Sequence, residues 1–256
     1  MPSKKSPRKR RKTGRKRAKG WIARLKKVRL PSIWLVLRTT FLFGLSFLAV
    51  SVIWVFALRW APVSGTLLMS MRSFSGVEVE RQWVPIENIS PDLVLAVIAA
   101  EDTKFCTHHG FDIEQIRTAI EDAKSGKRLR GASTISQQTA KNVFLWPGRG
   151  FVRKGLEAWF TLLIETLWPK ERILEVYLNV AEWGDGYFGA GAAASGRFGN
   201  TAAELSATQA SLLAAVLPNP HDWRVAPAGP YVQKRSATIR ARMQVVRRDG
   251  LDACLH

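Results

Sequence analysis

A mainly α-helical domain of about 190 residues, carried behind one membrane-spanning helix, is the fold that this sequence of 256 residues predicts. Three observations predict it. Thr39 to Leu58, TTFLFGLSFLAVSVIWVFAL, runs without a charge between Arg38 and Arg59, which matches one crossing of a hydrocarbon layer about 30 Å thick. Beyond it, apolar residues recur at helical spacing in one segment after another, and no long strand-like alternation follows. Between those segments fall Ser, Asp, Gly and Pro in the positions of helix caps and stops.

The charge is unevenly placed. Residues 1–38 hold sixteen Lys or Arg and no acid, so of the net +19 only +3 belongs to residues 39–256, with 23 basic against 20 acidic side chains. A run such as Arg8-Lys9-Arg10-Arg11-Lys12 suits nucleic acid or the inner face of a membrane. The apolar segment that follows favours the membrane, and no nucleic-acid partner is expected. The segment's length, its long basic flank and the lack of an A-x-A site after it predict an uncleaved anchor. An arginine at mid-bilayer costs about 3 kcal/mol, so Arg38 and Arg59 bound the span. By the positive-inside rule the tail stays in the cytoplasm and the remainder emerges on the far side. The expected organisation is a basic cytoplasmic tail over 1–38, a transmembrane helix over 39–58, a juxtamembrane connector over 59–76 and an extracytoplasmic domain over 77–256. In the connector, Leu67, Leu68, Met69 and Met71 fit either the membrane interface or ordinary core.

Val77 to Ile86 reads as extended, and helices dominate from there. Ser90 stands where it can cap a helix with Pro91 at its first position, Asp92 in its first turn and Leu93, Val94, Val97 and Ile98 on its apolar face. Asp112 caps a second helix bearing Ile113, Ile116 and Ile120, which stops near Gly126 before the basic loop Lys127-Arg128-Leu129-Arg130-Gly131. Ser133 opens a third, broken at Pro147-Gly148. Phe151 to Trp168 is amphipathic and stopped by Pro169; Lys170 to Trp183 presents Ile173, Leu174, Tyr177 and Leu178 on one face. Ser206-x-x-Gln209 is a capping box, and a last helix runs from Tyr231 to Arg248. Cys106 and Cys254 are the only cysteines, too few for a disulfide framework or a zinc pattern, and spacing leaves their pairing open.

Chemistry concentrates in three places. Glu101-Asp102-x-x-Phe105-x-x-His108-x-Gly110 puts an acid pair at the end of an apolar helix, where the macrodipole favours cations and burial raises a carboxyl pKa toward that of a general base. Two solvated helix-end acids are the plainer alternative. In Gly131-x-Ser133-Thr134-Ile135-x-Gln137-Gln138-x-x-Lys141-Asn142, Gln137, Gln138 and Lys141 occupy neighbouring helical positions, with amides that suit sugar hydroxyls and an ammonium that suits phosphate. Arg149, Arg153, Lys154 and Glu157 form either an ordinary i,i+4 ion pair with its neighbours or a pyrophosphate site.

In this order and spacing the strings resemble the signature blocks of the peptidoglycan glycosyltransferases, glycosyltransferase family 51. Lys170-x-x-Ile173-Leu174-Glu175-x-Tyr177-Leu178-Asn179 matches a further block, as do Phe188-Gly189-x-x-Ala192-Ala193 and Phe198-Gly199, with Arg197 where the family usually has an aromatic residue. The resemblance spans roughly Val77 to Trp223. It implies a lysozyme-like bilobal glycosyltransferase domain and, among family members, a stand-alone enzyme without transpeptidase activity. The implied reaction joins lipid II units into glycan strands, the GlcNAc 4-hydroxyl of one displacing undecaprenyl pyrophosphate from the growing chain with inversion. Glu101 is then the expected base and Glu157 the second catalytic acid. Asp102, Phe105, Gln137, Gln138, Lys141, Asn142, Arg149, Arg153, Lys154 and Glu175 are the expected substrate-binding set, with Asp102 and Glu175 orienting neighbours. No tightly bound cofactor is expected, a divalent cation (Mg or Mn) is a candidate aid at Glu157, and metal ligands stay unassigned. The implied partners are lipid II, the nascent glycan, the bacterial inner membrane, and cell-division or cell-wall synthesis proteins. Two rivals make different demands. A lytic glycosidase also uses a helix-end Glu but needs no cationic pyrophosphate site, and a membrane scaffold needs no catalytic acid.

Overall fold

The computed structural model of the protein describes residues 32–126 and 133–255. The basic tail up to residue 31 and the loop Lys127 to Gly131 lie outside the described residues. The first helix, α1, is Ile33–Ala57. It starts before Arg38, because the Ser32 hydroxyl accepts from the Leu35 amide at 3.3 Å and supplies an early cap. It is long and apolar enough to cross a bilayer, and Trp34, Phe41 and Phe43 are exposed on its first half, as lipid-facing side chains are.

From Ala49 onward the chain forms one compact unit. Within it, the last turns of α1 are part of the packing. Trp54 meets Phe144 edge-on with centroids 5.1 Å apart, and Phe144 stacks on Phe160 at 4.5 Å. Trp159 Nε1 donates to Ser51 Oγ (3.1 Å) and Trp168 Nε1 to the Val55 carbonyl (2.8 Å). The connector is more ordered than its sequence indicates. It holds a helix, α2 (Leu67–Phe74), capped by Thr66; Met69 is buried and Leu68 packs on the core, whereas Leu67 and Met71 stay exposed. The core reading therefore holds for Leu68 and Met69.

Of the extended stretch Val77 to Ile86 only β1 (Glu80–Arg81) is a strand. The helix α3 (Pro91–Glu101) follows, with Pro91 at its first turn as expected. The Ser90 hydroxyl does not cap it; it donates to the Leu205 carbonyl at 2.7 Å and ties the helix start to a distant loop. Leu93, Leu95, Ala96, Val97, Ile98 and Ala99 are all buried, so α3 is a central helix, with Pro91 alone exposed at its start. The helix α4 (Ile113–Lys124) is capped by Asp112 as read, its carboxylate accepting from the Gln115 amide at 2.9 Å. None of its residues is buried, and Ile113 and Ile120 are 55% and 50% exposed. The helix α5 (Ile135–Phe144) begins one residue later than expected, because Thr134 and not Ser133 closes a capping box with Gln137.

Two further helices, α6 (Phe151–Leu167) and α7 (Lys170–Val180), pack on α5. The second ends before Trp183, where the sequence reading carried it. Glu182–Gly184 is instead β2, which turns through Gly186 into β3 (Tyr187–Phe188) and buries the Trp183 ring fully. The small sheet has the order β1-β3-β2, with Glu80 beside Tyr187 in the parallel pair and Glu182 beside Phe188 in the antiparallel one. The chain continues through α8 (Ala190–Phe198), α9 (Ala207–Val216) and α10 (Pro230–Arg248). The expected capping box at Ser206 and Gln209 is formed. Arg197 occupies the place of an aromatic residue by laying its guanidinium over the Tyr187 ring at 4.3 Å. The α3 helix lies against α9 and α10, which presents its C-terminal end, and Glu101, between α5 and α10. The domain is mainly α and lysozyme-like.

Candidate active site

The end of α3 is fixed by its successor residue. Asp102 leaves the helix in an extended conformation (φ −162°), is buried, and accepts from the Ile135 amide (3.0 Å) and from His108 Nε2 (2.9 Å) through Oδ2. Because His108 Nδ1 accepts from the Gly110 amide at 3.0 Å, the neutral ring carries its proton on Nε2 and donates it to Asp102. Gly110 has φ +89°, and a Cβ there would stand 2.8 Å from the Thr161 methyl; its carbonyl accepts from Thr134 Oγ1 at 2.7 Å. Loop 102–110 thus locks to the start of α5 through side-chain and backbone bonds.

That lock sets the position of Glu101. Gln138, one turn into α5, donates from Nε2 to Glu101 Oε2 at 2.8 Å. Tyr177 of α7 donates its hydroxyl to Gln138 Oε1 at 3.4 Å, which fixes the amide with its NH2 toward the carboxylate. On the opposite side Arg235 of α10 approaches Glu101 Oε1 to 3.8 Å. Burial pushes the Glu101 carboxyl above its ordinary pKa; the Gln138 bond, Arg235 and Lys141 pull it back, and Asp102 adds a further upward push. Tyr177 is fully buried and its phenol is held well above its ordinary value, chiefly by burial, so it stays a neutral donor.

The second acid is buried as well. Glu157 accepts from Arg153 NH1 at 3.1 Å and from Lys154 Nζ at 2.5 Å. Lys141 stands in the field of both acids: burial lowers its pKa, Glu157 and Glu101 raise it, and Arg153 and Lys154 lower it. Glu101, Gln138, Lys141, Arg153, Lys154 and Glu157 therefore form one electrostatically connected group, with Asn142 half-buried on the same helix and Arg149 exposed in the turn before α6.

Three of the expected substrate-binding residues lie elsewhere in the packing. The Phe105 ring is completely buried beneath Lys170 Nζ, 4.7 Å away, so it supports the loop from below and has no surface for a ligand. The Gln137 side chain is committed to the α5 cap, its Oε1 accepting from the Thr134 amide at 3.1 Å. Glu175 pairs with Arg172 NH1 at 2.5 Å, and Arg172 donates to the Leu58 and Ala61 carbonyls. Asp102 is likewise committed to neighbours, the Ile135 amide and His108. Sequence reading missed Arg235 and gave Tyr177 only an apolar role. A phenol among the apolar positions of α7 was a signal for the second; nothing local marked the first.

Neither candidate metal site suits a cation. Both Glu157 oxygens already face positive charge, with Lys141 close by, and this donor set does not fit a dication. Among the described residues, Glu182, Asp185 and His221 bring ligand atoms within 4.8 Å of one another. Arg72 already pairs with both carboxylates there, and His221 Nε2 with Glu182 at 3.0 Å. Cys106 and Cys254 are joined in a disulfide with Cα atoms 5.4 Å apart.

Residues 67–244 match the family model described as Transglycosylase. The chain is 58% identical over 198 residues to a biosynthetic peptidoglycan transglycosylase of Rhodospirillum centenum, covering 77% of this chain and 86% of that protein. It is 53% identical over 204 residues to one of Caulobacter vibrioides, with 80% and 89% covered. To one of Pseudomonas aeruginosa it is 54% identical over 212 residues, with 80% and 91% covered.

Proposed function

Since the chain belongs to the transglycosylase family and is a peptidoglycan glycosyltransferase, we propose that it polymerises lipid II into linear glycan strands, with Glu101 as the base. The observation that carries this reading is a largely buried carboxylate, held from one side by Gln138 and faced from the other by Arg235, with its pKa pushed up by burial and a cationic cluster beside it.

In the proposed step the GlcNAc 4-hydroxyl gives its proton to Glu101 while its oxygen attacks the anomeric carbon of the chain-terminal MurNAc. The bond from that carbon to the pyrophosphate oxygen breaks, and undecaprenyl pyrophosphate leaves with inversion. A carboxylate kept basic by burial suits the first half of that exchange. Lys141, Arg153 and Lys154 suit the second, since preorganised cations stabilise charge as it develops on the leaving group. Arg149, exposed in the turn before α6, and Asn142, half-buried on α5, are assigned to the same substrate-binding set by their positions in the motif blocks. Glu157 holds Arg153 and Lys154 in place and keeps a site with three cations from repelling itself apart. No step is routed through a metal ion.

The anchor supports the same reading. A substrate held in the bilayer by its polyprenyl chain meets an enzyme tethered to that surface at raised effective concentration. We place the tail in the cytoplasm and the domain outside it, in the inner membrane. Two facts support that orientation: the acid-free basic flank, and a disulfide of a kind that persists in oxidising compartments.

The test is polymerisation of purified lipid II by the full chain in detergent, with and without Mg or Mn. Wild type should yield glycan polymer and Glu101→Gln should lose about a hundredfold or more in rate, the scale of a removed general base. Cleavage of finished peptidoglycan with lipid II left untouched would reverse the reading in favour of a glycosidase.

A further inference from the structure

We propose that the Cys106–Cys254 disulfide is a clamp that holds Glu101 in register with Arg235, so that both cysteines are positioning residues for the transfer step. This rests on the reading of Glu101 as base.

Glu101 stands on the last turn of α3, and helix ends open more readily than their middles. The bonds that hold the loop after it come from one side only: Asp102 from the Ile135 amide, the Gly110 carbonyl from Thr134, and the His108 carbonyl from Lys170 Nζ at 2.7 Å. The other side of the carboxylate belongs to α10, which supplies Arg235. The helix α10 is tied to α3 by packing and by an Arg247–Asp92 pair of 3.1 Å whose arginine is 56% exposed, a kind of contact that contributes little. Beyond α10 the chain turns at Gly250 (φ +60°), and Leu251 and Leu255 fold back on the core. This return carries Cys254 to the loop. Its amide donates to Cys106 Sγ at 3.3 Å, and its sulfur is bonded to that of Cys106.

The bond links the loop that follows Glu101 to the segment that follows α10, the helix that carries Arg235. Loop residues Thr107 and His109 are exposed, and Lys104 contributes a solvent-facing pair with Glu114. Cys106 is therefore where the outer part of this loop is tied to the α10 side. The charged and titratable groups facing Glu101 are Lys141 of α5, Asp102 of the loop, Tyr177 of α7 and Arg235 of α10. Of these, Arg235 alone stands on the helix whose following segment the disulfide ties to the loop. In the proposed clamp, opening the bond lets Arg235 recede, and the Glu101 carboxyl loses one of the influences that draw its pKa down.

The experiment uses the full chain in detergent with lipid II, before and after reduction with TCEP. In that step the disulfide gains two electrons and two protons to become two thiols, while the phosphine takes oxygen from water and becomes its oxide. Reduction should lower kcat about tenfold, the scale of a slightly misplaced catalytic group, with KM changed by less than about twofold. The acid limb of the pH–rate profile should move to higher pH. Reoxidation with oxidised glutathione should restore both, and Cys106→Ser/Cys254→Ser should reproduce the reduced enzyme while ignoring TCEP. An unchanged kcat and acid limb in reduced protein that melts cooperatively would overturn the clamp. So would two cysteines open to iodoacetamide without reduction, which would mean there is no bond. A double variant or reduced protein that does not fold assigns the bond to global stability and equally overturns a positioning role. Oxidised wild type inert toward lipid II counts against the functional reading itself, whereas activity indifferent to the bond counts only against the clamp.

Discussion

Glu101 carries its reactivity as a consequence of where its helix stops. Its carboxyl is raised above the ordinary range by burial, and only the deprotonated form can accept the proton of an attacking hydroxyl. The rate kcat/KM should therefore fall on acidification with a midpoint above about 4.3, the value of an unperturbed glutamate. A pH–rate profile with its acid limb at or below that value would remove Glu101 from the role. The same shift has a sign in stability. A carboxyl raised in the folded state binds more protons folded than unfolded, so its contribution is full below the unfolded pKa and is lost as pH rises through the folded value. At neutral pH Glu101 is then a charge held at a cost. Glu101→Gln keeps an acceptor for Gln138 without that charge, and thermal melting at pH 7 should show a Tm equal to or above wild type. Residue identity was legible here, but burial was not: Phe105 looked like a substrate contact and is sealed in the core, while Gln137 is committed to a cap.

Among the elements, the loop between α3 and α4 shows how a motif works through backbone geometry. Gly110 has a positive φ, and its Cβ position is already taken by Thr161. Gly110→Ala should destabilise the protein by about 1–3 kcal/mol and lower kcat as well, since the glycine amide and carbonyl hold His108 and Thr134. Chemical denaturation beside the polymerisation assay would check both, and a fully active, equally stable variant would contradict the assignment. Helix existence was well predicted, because periodicity, Pro91, Asp112 and the Ser206 box are local signals. The errors came where a distant partner decided. Ser90 bonds Leu205 in place of its own helix, and α7 yields to a strand at Glu182 because β1, far back in the chain, is there to complete the sheet.

In the molecule as a whole, the end of the anchor helix is structural. Arg172 of α7 ties the chain just after α1 to the domain by donating to the Leu58 and Ala61 carbonyls, pairing with Glu175, and lying 5.3 Å from the Trp83 ring. Arg172→Ala would leave the half-buried Glu175 carboxylate and two carbonyls without their cation. The loss should cost about 3 kcal/mol, read as a lower Tm in detergent, with glycan yield falling in step with the folded fraction. A melt indistinguishable from wild type would show that α1 is held by its aromatic contacts alone. The apolar span, the helical class, the order of the motif blocks and the identity of the acids and cations were legible from the residues alone, since each is written in composition or in spacing within a few residues. That Arg235 and Tyr177 stand beside Glu101 and Gln138, that Cys106 meets Cys254, and which motif residues are sealed in the core came from the three-dimensional packing. Those outcomes depend on which helices pack together, and packing is set by the whole chain, not by any window of it.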